Sequence, residues 1–246
     1  MQLSPKPTRR MRGQRGLSLV ELMVGVVVAL FVVAAASLLM STQLNDNRRL
    51  LLETQVQQDL RATTDIIARE LRRSSYWAAF ASGTPEPGSG TVVGNPGRAL
   101  GFVSASNTVN YRYSRAPGTS AFGFKLEDGV IKSCQGEPNV DGLCAGTYQD
   151  LTDRRTVTIT AFTVTQERPS STSNDEALLL PCPNLCSNGS TDCWPRVSVR
   201  EFLITVTGRA VSDPTVIRTL SLGVRVRNDR IELSSEAAPN QACPAS

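Results

Sequence analysis

The chain has 246 residues, of which 40% are hydrophobic, enough to bury one sizeable core. It contains no histidine, which removes Ser-His-Asp and Cys-His catalysis, the HExxH zinc proteases and every histidine general base. The formal charge is +4, yet Lys6, Arg9, Arg10, Arg12 and Arg15 all precede Gly16, with no acid among them. Without these five, 21 basic residues face 22 acidic ones, so the remainder sits near −1 and has no global attraction for nucleic-acid phosphate.

Residues 1–16 are polar, basic and interrupted by two prolines. The run that follows is apolar except for Ser18, Glu21 and Ser37, and Leu22–Met40 gives 19 residues without a charge. That is close to the roughly 20 an α-helix needs to cross about 30 Å of hydrocarbon, so 17–40 is expected to span a membrane. Basic residues cluster before this run and only Arg48 and Arg49, offset by Asp46, follow it. The positive-inside rule then puts the N-terminus in the cytoplasm.

Leu52, Val56, Leu60, Ile67 and Leu71 recur at three- and four-residue spacing, and no proline occurs between Leu17 and Ala81. The economical expectation is one helix over 17–76, about 60 residues and about 90 Å long, with one face packed on a globular domain over 77–246. Gly, Pro and Ser dominate 81–98, a surface loop. Short strands are predicted at Leu100–Val103, Val109–Tyr113, Phe122–Leu126 and Val130–Ser133, the last two joined through Glu127-Asp128-Gly129 as a hairpin. Thr156–Thr165, Val197–Thr207 and Ile217–Val226 alternate over longer runs, as in an antiparallel sheet with one buried face. The segment 168–195 reads as a second loop and the tail after Leu233 as irregular. The fold class is therefore α+β.

At Arg15-Gly16-Leu17-Ser18-Leu19-Val20-Glu21-Leu22-Met23 the sequence resembles the type IV prepilin cleavage and methylation motif, with a basic leader ending in Gly and a Glu fifth in the mature chain. The resemblance implies a leader over 1–16, cleavage by a prepilin peptidase between Gly16 and Leu17, and N-methylation of Leu17. It also implies a type IV pilin-like fold, in which Glu21 pairs with the N-terminal amine of a neighbouring subunit. A carboxylate at the edge of a membrane segment costs up to a few kcal/mol unless paired or in reach of headgroups, so such a pairing has a physical motive. Two departures stand out: the family more often has Phe at the position of Leu17, and Leu38 stands where major pilins have a helix-kinking proline. The second leans toward a minor subunit.

Ala68-Arg69-Glu70-Leu71-Arg72-Arg73-Ser74-Ser75-Tyr76-Trp77 is similar to the helix end of PilW-like minor pilins, and Arg218–Ser221 with Val224–Asn228 is similar to their last strand. That likeness implies a role in assembling a type IV pilus, within the filament or priming it. The implied partners are other major and minor pilins, the prepilin peptidase, the inner-membrane assembly platform and a tip adhesin. No cofactor, metal or catalytic residue is implied. The implied location is the inner membrane by a single pass, with the C-terminal domain periplasmic, and then the pilus at the cell surface. Taken as chemistry alone, Arg69, Arg72 and Arg73 are a solvated helix end favoured by the C-terminal dipole.

Six cysteines, Cys134, Cys144, Cys182, Cys186, Cys193 and Cys243, lie in the C-terminal half. Their even number in a segment expected outside the cytoplasm reads as disulfides. Three of them in CPNLCSNGSTDC, with a fourth, also fit a thiolate zinc site, but no CxxC pair occurs. Cys134 and Cys144 flank a turn-rich loop and are expected to pair; the other four leave three connectivities open.

Two other readings compete. A type II secretion pseudopilin of the J type shares the leader, the long helix and a sheet-rich domain. A secreted binding protein or enzyme would use Ala34-Ala35-Ala36 as a signal-peptidase site and begin near Ser37. The second leaves the register of Gly16 and Glu21 and the continuation of the helix unexplained. For nucleic acid, only a local patch among Arg154, Arg155, Arg196, Arg200 and Arg209 would serve. Partner contacts are expected from the loops 81–98 and 168–195.

Overall fold

The computed structural model describes residues 16, 18–80, 94, 95, 97, 101–103, 107–114, 119–141, 143–168, 177–234, 236, 243 and 244. The chain forms two compact units, residues 1–50 and 51–246. Helix α1 runs from Leu19 to Arg73, three residues short of the expected C-terminal end.

Eleven strands follow among the described residues. A five-stranded antiparallel meander joins β1 (Gly101–Val103), β2 (Thr108–Ser114), β3 (Thr119–Glu127), β4 (Val130–Gly136) and β5 (Tyr148–Asp150) in sequence order. A second sheet sets β9 (Glu201–Ala210) between β10 (Ile217–Arg225) and β6 (Val157–Arg168). A third, small sheet sets β8 (Arg196–Ser198) between β11 (Arg230–Glu232) and β7 (Ala177–Leu179). Every pairing is antiparallel, so the arrangement is α+β: a long helix whose later turns pack on antiparallel sheets.

From Leu52 onward the helix has one buried stripe: Val56, Leu60, Thr63, Thr64, Ile67, Ala68 and Leu71. The stripe shares a single core with Val109, Phe122 and Phe124 of the meander and Val157, Phe162, Phe202 and Ile204 of the second sheet. At about 2 kcal/mol per fully buried large aliphatic side chain, this stripe is what fixes the helix to the sheets. Thr63 and Thr64 enter an apolar face without penalty because their hydroxyls donate to the carbonyls of Asp59 (2.8 Å) and Leu60 (2.7 Å).

The β3–β4 hairpin turns at Asp128 and Gly129, with φ of 52° and 75°, the left-handed pair that matches the twist of two antiparallel strands. A Cβ at Gly129 would lie 2.9 Å from the Thr158 methyl. Beside this turn Glu127 receives Lys125 at 2.8 Å and Lys132 at 2.5 Å. Hydrogen bonds from these two ammonium groups hold its carboxyl at about 2, below the ordinary 4.5.

Three expectations need correction. The strand expected at Val197–Thr207 is two strands in different sheets, β8 and β9, because the backbone leaves the ladder at Val199 and Arg200. The 168–195 segment contains β7, and β5 and β11 complete sheet edges where no strand was expected. β6 carries an irregularity between Ile159 and Ala161, which moves its buried face from Val157 and Ile159 to Phe162 and so breaks strict alternation. Most of the 81–98 loop and of the tail after Leu233 lies outside the described residues.

The helix end is held by a polar network. Ser75 adopts φ 63°, a conformation costing a non-glycine residue about 1–2 kcal/mol, and is 2% exposed. Its amide donates to the Arg112 carbonyl at 2.8 Å and its hydroxyl to the Gly97 carbonyl at 2.8 Å. Arg200 Nη2 donates to the same hydroxyl oxygen at 2.7 Å, and Asn228 Nδ2 to the Ser74 carbonyl at 2.9 Å. Four separate segments therefore meet at Ser74 and Ser75.

Two outcomes follow for stability. Ser75→Gly relieves the left-handed backbone but removes the hydroxyl that a buried guanidinium needs, so it should lower unfolding stability by about 1–2 kcal/mol in urea titration; stability equal to or above the parent would show that the hydroxyl contributes little. Because the folded carboxyl of Glu127 titrates below its unfolded value, its contribution is full above about pH 4.5 and disappears as pH falls through about 2. The stability gap between the parent chain and Glu127→Gln should accordingly close as the pH is lowered from about 5 to about 2; a gap independent of pH would contradict this.

Candidate functional site

Gly16 and Ser18 precede the helix, both exposed, while Leu17 lies outside the described residues. The helix opens with the Leu22 amide donating to the Ser18 carbonyl at 3.1 Å, which makes Ser18 the N-cap. Glu21, three residues later, stands in the first turn. Ser-x-x-Glu is the capping-box pattern, and an acid here also meets the positive end of the helix dipole. The Ser18-x-x-Glu21 spacing that carries this second use is itself a sequence signal. Among the described residues, no atom outside its chain neighbours lies within 4 Å of where a Cβ on Gly16 would sit.

From Leu19 to Met40 the large apolar side chains are between 50% and 75% exposed. No side of this half of the helix is polar, and a helix that is apolar all round requires an apolar surrounding. Ser37 and Ser41 donate to the carbonyls of Val33 (2.8 Å) and Ser37 (2.9 Å), and Thr42 to Leu39 (2.8 Å). Hydroxyls satisfied within their own helix need no water. The segment is long and apolar enough to cross a membrane.

The six cysteines form three disulfides: Cys134–Cys144, Cys182–Cys243 and Cys186–Cys193. The first closes the loop in which Asn139 Oδ1 accepts the amides of Asp141 (3.0 Å) and Leu143 (2.8 Å). The second ties Cys243 across 61 residues, worth roughly 4 kcal/mol in the chain-entropy account. The third brings two sulfurs near Glu236, but that carboxylate accepts from Ser187 N (2.7 Å) and Ser187 Oγ (2.9 Å). Sulfurs bonded to each other are not thiolate ligands, so the zinc reading fails here.

Of the five arginines considered for phosphate, Arg200 is 2% exposed, and burial pulls its guanidinium down to about 10. Arg154 is paired with Asp150 at 2.7 Å, and Arg196 donates to the Asp192 carbonyl at 3.0 Å. Arg155 and Arg209 remain exposed.

Comparison with known proteins agrees with this layout. The family model for prepilin peptidase-dependent protein B matches residues 49–226, and the prokaryotic N-terminal methylation motif matches residues 11–37, which contain Gly16, Leu17 and Glu21. No match was found among curated proteins. Among solved structures, the type IV-like pilin TTHA1219 from Thermus thermophilus is similar over 70% of this chain and 96% of its own, with 12% identity and a TM-score of 0.37. The family is structural, not enzymatic. The chain belongs to the prepilin peptidase-dependent protein B family.

Proposed function

We propose that this chain is a minor type IV pilin of the PilW-like kind, incorporated in the filament or priming it. The leader 1–16 is cut between Gly16 and Leu17 by a prepilin peptidase and Leu17 is N-methylated. The N-terminal segment 17–76, with 17–40 in the inner membrane, holds the domain 77–246 in the periplasm until assembly. Other pilins, the assembly platform and a tip adhesin are its partners.

The observation that carries this reading is the charge distribution on the first half of α1. One carboxylate, Glu21, stands in the first turn, and the 19 residues from Leu22 to Met40 have no other charge. In lipid that carboxylate is costly unless it is paired or reaches headgroups, and a cation on a neighbouring helix would satisfy it. Cleavage after Gly16 would create an amine on Leu17, with Glu21 fifth in the mature chain, and in an array of parallel helices the amine of one subunit is the available partner for the Glu21 of the next. The pairing would fix axial register. A filament subunit of this kind needs no catalytic group, consistent with a chain lacking histidine.

Glu21→Gln should leave cleavage and membrane insertion intact but reduce the amount of the chain recovered in sheared filaments by about tenfold, the scale of one lost ion pair in a low-dielectric setting. Filament recovery equal to the parent would overturn the role given to Glu21. Recovery with a secretion pseudopilus instead of a pilus would favour the J-type pseudopilin.

A further inference from the structure

Two grooves adjoin at the end of the helix and share Tyr76, Arg227 and Asn228. One, about 340 Å³, is floored by Tyr76, Trp77, Phe80, Ile231 and Leu233. The other, about 330 Å³, is flanked by Arg72, Arg73 and Arg227. Tyr76 is 50% exposed and Phe80 69%, an unusual outlay of aromatic surface in water.

The arginines differ in how far they are already used. Arg73 is paired with Glu70 at 3.1 Å and lies over the Tyr113 ring at 5.1 Å. Arg72 and Arg227 are exposed, and neither has an ion pair among the described residues. The Arg227 amide donates to the Arg72 carbonyl at 3.1 Å, which places the two side chains on neighbouring backbone positions. The hydrogen bonds at Ser74, Ser75 and Asn228 tie down the backbone next to Tyr76 and Arg227, which lowers the ordering cost for an incoming ligand.

We propose that this double groove docks a segment of a neighbouring pilin-type subunit in which an acidic residue stands next to an apolar one. The carboxylate meets Arg72 and Arg227, and the apolar side chain enters between Phe80 and Ile231. Planar guanidiniums suit a carboxylate, and aromatic anchors suit a buried apolar contact. A phosphate polymer fits less well, because it would bring charge along the apolar groove as well, where Asp229 is the acid in the lining. This deepens the filament-subunit reading and rests on it.

The test uses the full-length chain in its native host, with Phe80 replaced by photoreactive benzoylphenylalanine. Irradiation of intact cells should yield an adduct to another pilin-type subunit, and the cross-linked peptide should carry Asp or Glu beside an apolar residue. Combining Arg72→Glu with Arg227→Glu should reduce that adduct about tenfold, the loss of about 1.4 kcal/mol, and changing the partner's acid to Arg should restore it. If the double reversal does not accumulate in membranes, Arg72→Gln with Arg227→Gln is scored the same way. An adduct unaffected by these changes, an adduct to lipid or nucleic acid, or no adduct would overturn the proposal. When the chain still begins at Leu17 and is recovered with filaments, such a failure concerns the groove alone; loss of both features would count against the filament-subunit reading itself.

Discussion

A buried guanidinium determines how the end of the helix is held. Arg200 is 2% exposed, and a desolvated charge is tolerated only where polar groups surround it. Among those groups are the Ser75 hydroxyl at 2.7 Å and the Asn228 carbonyl at 3.3 Å. To reach them the chain leaves its ladder between β8 and β9, so the break that separates two sheets and the end of α1 share one cause. Val226 donates to the Arg200 carbonyl at 2.9 Å and Arg227 to that of Arg72 at 3.1 Å, which closes the helix end against the exit of β10.

The same helix answers to two surroundings. Its first half is apolar on every side and its second half on one stripe, and the change comes without a proline to break it. The apolar half needs lipid or other apolar helices around it, whereas the striped half is satisfied by the sheets. One continuous helix thus carries both an apolar stretch long enough to cross a membrane and the stripe that packs on the sheets.

The parts legible in the sequence were those written in long periodic signals. The uncharged run to Met40, the leader-to-Glu21 register and the stripe Val56, Leu60, Ile67 and Leu71 each repeat a pattern over many residues. So does the β3–β4 hairpin, whose Asp128-Gly129 turn has its own chemistry. Thr63 and Thr64 were hidden because a hydroxyl bonded to its own helix behaves as an apolar side chain. Strands of three residues, β5, β7 and β11, are too short for alternation to register. The break at Arg200 was invisible for another reason: Val197–Thr207 alternates well, and only a partner 125 residues away in sequence, Ser75, makes the arginine turn inward. The open choice among Cys182, Cys186, Cys193 and Cys243 had the same character, since Cys182–Cys243 joins distant segments.

Whether the chain is matured as a prepilin is decided by the identity of its first residue. Purified from membranes of its native host, the protein should begin at Leu17, carry an N-methyl group there, and have the intact mass of residues 17–246 with three disulfides and one added methyl group. A chain beginning near Ser37 would contradict the account, because it would have lost Glu21 and the apolar half of the helix together.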